Sequence, residues 1–126
     1  MKKIALILIV SNLLFAECYV VNELKGKSYY KSDNFELKED KFSYPFEINI
    51  NAENSSVSLS DLKYLQTSKN SIVGLFIDEK NSKSTIETWF LYPESKKVIY
   101  TKSVTGYDSL DGSRMFIGKI VGSCNK

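Results

Sequence analysis

The sequence predicts an all-β fold: a small antiparallel β-barrel, with a two-sheet β-sandwich as the alternative. Three observations carry that expectation. Short segments rich in β-branched and aromatic residues recur at regular spacing, clusters of turn-forming residues separate them, and no long stretch shows the 3.6-residue period of an amphipathic helix. In addition, Cys18 and Cys124 stand near the two ends of the predicted domain and can draw its first and last segments together.

The chain opens with Lys2 and Lys3, an apolar run from Ile4 to Val10 that resumes at Leu13, and Leu14 and Ala16 placed as the small or apolar residues of a cleavage site. This is the layout of an export signal. A spanning helix needs ~20 apolar residues, whereas Ser11 and Asn12 interrupt this run and Glu17 ends it. Residues 1–16 are therefore expected to be a signal peptide and 17–126 a single secreted β-domain, periplasmic or secreted, with no stable membrane anchor after cleavage. Charged Glu17 directly before Cys18 argues against lipid attachment, which requires a small residue there.

Cleavage leaves 110 of the 126 residues, the size of one domain. Lys2 and Lys3 depart with the signal, so the remainder carries 15 basic and 15 acidic side chains. Without a basic excess there is no electrostatic case for nucleic acid. Arg114 is the sole arginine, which excludes a multi-arginine phosphate clamp. In an exported chain two cysteines read as a disulfide. Closing a loop of ~100 residues is worth about 4.7 kcal/mol in the chain-entropy view, and it requires the two Cα atoms to lie within ~7 Å, making the termini adjacent.

Strands are expected at 35–37, 46–50, 72–77, 86–92, 98–104 and 115–121, where apolar and polar residues alternate or β-branched and aromatic residues dominate. Turn clusters occupy 51–56, 78–84, 93–96 and 106–113, and Asn54-Ser55-Ser56 reads as a turn rather than a glycosylation site. Segment 60–65 has the makings of a short helix capped by Ser60. If 93–96 forms a four-residue loop, Tyr92 faces Lys97, and counting back pairs Leu91 with Val98, Phe90 with Ile99, Trp89 with Tyr100, Thr88 with Thr101 and Glu87 with Lys102. Alternation then puts Trp89, Tyr100, Leu91, Val98 and a Glu87/Lys102 ion pair on one face, and Phe90, Ile99, Ile86 and the threonines on the other. Both faces are substantially apolar, so the outer one is expected to be covered or used for contact. Placing 19–21 beside 116–120 closes the sheet.

The chemistry-bearing residues are few. With no histidine, imidazole general bases, Ser-His and Cys-His triads and histidine metal sites are excluded. Bridged cysteines offer no thiolate, and no phosphate-cradling glycine motif or zinc-ligand cluster is present. Asp108 and Asp111 sit three apart in the loop bounded by Gly106 and Gly112, a turn-like arrangement without the repeated oxygen ligands of a calcium loop. No cofactor, metal or enzymatic activity is expected. Tyrosine-rich surfaces recur at protein interfaces, and Trp89, Tyr100, Tyr107, Asp108 and Asp111 are the candidate binding residues. The expected function is that of an exported binding protein, an inhibitor or immunity-type protein acting on a secreted or envelope protein. The alternatives are a carrier of a small apolar ligand inside the barrel and a structural envelope protein.

Overall fold

The β-branched and aromatic runs of the sequence are strands in the computed structural model, which describes residues 17–124. The predicted export signal lies outside the described residues. Nine strands follow one another: β1 (Glu17–Tyr30), β2 (Lys38–Lys41), β3 (Phe46–Ile50), β4 (Ser56–Val57), β5 (Lys63–Ser68), β6 (Ser71–Asp78), β7 (Lys83–Tyr92), β8 (Lys97–Thr105) and β9 (Gly112–Ser123). All pair antiparallel, in the order β4-β3-β1-β9-β8-β7-β6-β5, with β2 lying on β1. The eight-stranded path curls into a nearly closed barrel. Among the described residues a single bridge, Ser55 to Tyr64, spans the seam between its two edges.

The β7–β8 hairpin has the register that its four-residue loop dictates, from Tyr92 opposite Lys97 to Glu87 opposite Lys102. Trp89, Leu91, Val98 and Tyr100 point inward and are buried, while Ile86 and Phe90 face out. The first strand lies against the last as expected, with Val21 opposite Ile120 and Tyr19 opposite Ser123. Cys18 and Cys124 are bonded across this pair, their Cα atoms 5.3 Å apart, and the Cys124 N–H donates to the Cys18 carbonyl at 3.1 Å.

Three local expectations need correction. Residues 35–37 are not a strand: Asn34 and Phe35 both take positive φ, Phe35 and Leu37 are more than half exposed, and the alternating triplet is the tip of the β1–β2 turn. The strand that follows is the charged Lys38–Lys41, held by ladder bonds to β1. Segment 60–65 is not helical: Ser60 Oγ accepts the Leu62 N–H at 3.2 Å as a cap would, but β5 begins at Lys63 and its pairing with β6 holds the chain extended. Finally, β1 runs to Tyr30, far beyond 19–21. A bulge between Asn22 and Lys25, with Glu23 at φ 56°, breaks its period.

Register stacks the interior in layers. Ile72, Trp89, Tyr100 and Phe116 lie side by side across β6 to β9 and are all buried. Ring centroids of Trp89 and Tyr100 are 4.5 Å apart and those of Tyr100 and Phe116 5.6 Å, within the favourable range for aromatic pairs. Leu91 and Val98 form the next layer on one side. On the other side the layer is polar.

Exchanging both cysteines for serine in a Cys18→Ser/Cys124→Ser variant is expected to lower unfolding stability by about 2–5 kcal/mol with the strands retained. Urea denaturation followed by Trp89 fluorescence measures it, and an unchanged midpoint would contradict the role given to the bridge.

Candidate functional site

The polar layer is built by the strands themselves. Tyr64 of β5 pairs with Gly74 of β6, Gly74 with Glu87 of β7, Glu87 with Lys102 of β8, Lys102 with Arg114 of β9, and Arg114 with Ser28 of β1. Gly74 is necessary in this row, because a Cβ there would come 2.5 Å from the Tyr64 ring. The bare backbone lets that ring cross β6 and donate its hydroxyl to Glu87 Oε2. Trp89 Nε1–H donates to the same oxygen at 2.7 Å. Ser60 Oγ lies 2.9 Å from the Tyr64 oxygen; since that phenol has already given its one proton to Glu87, Ser60 is the donor.

Glu87 is 5% exposed, and a buried carboxylate demands such partners. Its other oxygen faces Lys102 Nζ at 3.9 Å, and Arg114 faces Asp40 at 3.8 Å. The guanidinium rests against a cluster of aromatic rings, 4.9 Å from the Phe42 centroid and 5.6 Å from that of Phe116. Burial and then the neighbouring Glu87 charge push the Tyr64 and Tyr100 phenols well above the ordinary tyrosine range.

Two surfaces adjoin this frame. An open cleft of about 340 Å³ lies at the barrel end beyond the polar layer, between Lys102 and Arg114 on one side and Tyr107 and Leu110 on the other. The second surface is the outer face of β5–β9, where outward positions read Leu65, Val73, Leu75, Ile86, Phe90, Ile99, Met115 and Ile117 around a Thr88/Thr101 pair bonded at 2.5 Å. A groove of about 490 Å³ runs along its border with β1, lined by Lys25, Lys27, Tyr29, Met115 and Ile117.

The predicted site residues do not share one surface. Trp89 and Tyr100 are buried, so an exposed patch containing them is corrected to a core layer: their inward register places them between Ile72 and Phe116. Tyr107 is half-buried at the lip of the cleft, its ring under Lys83 Nζ at 5.1 Å. Asp108 is exposed and pairs with Lys31 at 3.4 Å. Asp111 is consumed by its own loop, accepting the Gly106 N–H at 3.1 Å and the Tyr107 N–H at 2.6 Å, so the two carboxylates do not converge. Among the described residues, the one grouping of potential metal ligands is Cys18, Glu47 and Cys124, and two of those three are bonded to each other.

The Tyr64–Glu87–Lys102–Arg114 row escaped the sequence reading except for its Glu87/Lys102 pair. Its members come from four separate strands, and no sequence spacing announces them. An inward-facing charge in an otherwise apolar alternation, as at Glu87, was the available signal. Comparison with protein-family models, curated proteins and solved structures found no match.

Gly74→Ala is expected to force the Tyr64 ring off Glu87 and to lower stability by about 1–3 kcal/mol, read by denaturant unfolding; a neutral effect would show that the ring does not depend on the bare backbone. The raised phenols also predict alkaline lability. In the fold they keep protons that the unfolded chain releases near pH ~10, so their stabilising contribution is intact below that pH and is lost as pH climbs beyond it. A tyrosinate titration recorded alongside Trp89 fluorescence is expected to show part of the signal appearing only with unfolding.

Proposed function

We propose that the protein is a non-enzymatic binding module of the periplasm or extracellular space that docks a protein partner through the outer face of β5–β9, in the manner of an inhibitor or immunity-type protein. The supporting observation is the uncovered apolar face. Phe90 is 42% exposed, Met115 57% and Ile117 54%, and among the described residues no other element lies over them. Contiguous apolar patches of this kind on a folded surface mark interaction sites. Central strands paired on both sides also hold these side chains rigidly, which reduces the ordering cost of association.

Charge indicates the kind of partner. The charged residues at outward positions of β5–β9 are Lys63, Lys97 and Lys119, with no aspartate or glutamate among them, and Lys25 and Lys27 border the groove. Glu39 engages Lys27 and Glu23 engages Lys119 from the β1–β2 side. An apolar floor with a lysine rim complements a partner whose own apolar patch is ringed by acids. A second copy of this chain would set lysine against lysine. The carrier alternative, an apolar ligand held inside the barrel, has less support, since Trp89, Tyr100 and Phe116 fill the interior and the space that reaches Trp89 and Tyr100 measures about 160 Å³, below the ~300–1,000 Å³ of ligand pockets.

Affinity capture from envelope extracts with the disulfide-bonded protein and with a Phe90→Asp/Ile117→Asp variant tests this reading. The variant leaves the core untouched and is expected to weaken the recovered partner's binding by at least about tenfold, with affinity falling as salt rises. Equal capture by both baits, no captured protein, or retention solely on anionic lipid vesicles would overturn it. A Tyr107→Ala bait is expected to behave as the unaltered protein; loss of binding there would move the contact to the 106–111 loop.

A further inference from the structure

We propose that the cleft at the barrel end binds a small organic monoanion of the carboxylate class, its charge held between Lys102 and Arg114 and its apolar body resting on Val104 and Leu110. Register sets Lys102 directly opposite Arg114 on adjacent strands, both turned to the same end of the barrel, and like charges so placed repel. Each has a carboxylate nearby, Glu87 at 3.9 Å and Asp40 at 3.8 Å, and both separations exceed hydrogen-bond reach. Glu87 spends one oxygen on Tyr64 and Trp89. The two cations thus have their charge balanced at a distance; Arg114 also rests against the Phe42, Tyr100 and Phe116 rings and engages the Tyr100 hydroxyl with part of its fork, and both residues line the cleft.

The side chains of Lys102 and Arg114 are 32% and 21% exposed, so an anion meets them in partly desolvated surroundings, where attraction is stronger than at an open surface. An arginine fork and a lysine point charge suit one carboxylate; the absence of any further arginine in the chain disfavours a multiply charged phosphate. Beside the cations the lining is apolar, with Val104 two residues on from Lys102 along β8 and Leu110 and Tyr107 from the loop. At about 340 Å³ the cleft falls at the small end of ligand pockets, ~300–1,000 Å³.

Its far lip is preformed. Gly106 takes φ +91° where a Cβ would strike the Ser82 carbonyl at 2.3 Å. The Asp111 carboxylate ties down the Gly106 and Tyr107 amides, and Lys83 covers the Tyr107 ring. Of the remaining charged groups at this end, Asp108 is turned to Lys31 and Asp111 to its own loop, so neither carboxylate opposes an entering anion.

Titration of the isotope-labelled, disulfide-bonded protein with benzoate, followed by amide NMR shifts, tests the site. Saturable changes are expected at Thr85, Val104 and Ser113, with benzyl alcohol and inorganic phosphate each binding at least about tenfold more weakly. Lys102→Gln is expected to weaken benzoate by about tenfold. Leu110→Ser, at an exposed position that no core contact depends on, is expected to weaken benzoate but not acetate. No saturable shift with benzoate, equal binding of benzyl alcohol or phosphate, or benzoate binding unchanged in both variants would overturn the proposal. Should Lys102→Gln fail to fold, the Leu110→Ser comparison decides. None of these measurements involves a protein partner, so they stand apart from the outer-face reading.

Discussion

The pairing of β1 with β9 is the contact on which the rest of the molecule depends. β5 to β9 form a meander whose neighbours in sequence are neighbours in space, and local pairings of that kind assemble readily. β2, β3 and β4 belong to the other end of the chain, and their continuous ladder reaches the meander through β1, with the isolated Ser55–Tyr64 bridge meeting it at the far seam. The joining pairs unite residues roughly a hundred positions apart, as Val21 and Ile120 are, and bringing such distant segments together carries a loop-closure cost. The Cys18–Cys124 bond removes most of that cost by confining the unfolded chain as well. Without this joint there would be a meander with an exposed edge at β9 and a fragment unable to cover it.

The interior shows how a small barrel settles both ends of its core. Aromatic side chains fill the middle, where Trp89, Tyr100 and Phe116 meet Phe46 and Phe42. At one end the alternation that buries Trp89 also buries Glu87, two residues earlier on the same face. A carboxylate in that position imposes demands on its surroundings, and they are met by the Tyr64 phenol reaching over from β5, the Trp89 indole N–H of its own strand and the Lys102 ammonium of β8. The phenol belongs to Tyr64, the same residue that bridges to Ser55 across the open edge. The buried charge thereby helps to specify which residues meet at the seam, a specificity role rather than a contribution to net stability.

Legibility in the sequence followed the range of the interactions. The 86–103 hairpin was readable to the residue because a four-residue loop leaves one register, and alternation then assigns every side chain to a face. The disulfide was readable because only two cysteines exist. The length of β1 was hidden by its bulge: inward positions run Val21, Leu24, Gly26 and Ser28, so the first step is three residues instead of two. Phe35 and Leu37 misled for the opposite reason, since a turn tip can alternate by chance. The row from Tyr64 to Arg114 and the cleft beside it arise from strand order and register combined, and neither is written in any one segment.

The single covalent link near the two ends has a consequence for the life of the molecule after it folds. From Cys18 to Cys124 the backbone and the bridge together form a continuous ring of covalent bonds. A protease that cuts once within that ring, at an exposed turn such as 79–82 or 93–96, opens the ring without dividing the molecule. Both sides of the cut remain tethered, and the strand ladders around it keep the fragments in place. Damage by a single cleavage is therefore tolerated topologically, and destruction requires a second cut or a reductant.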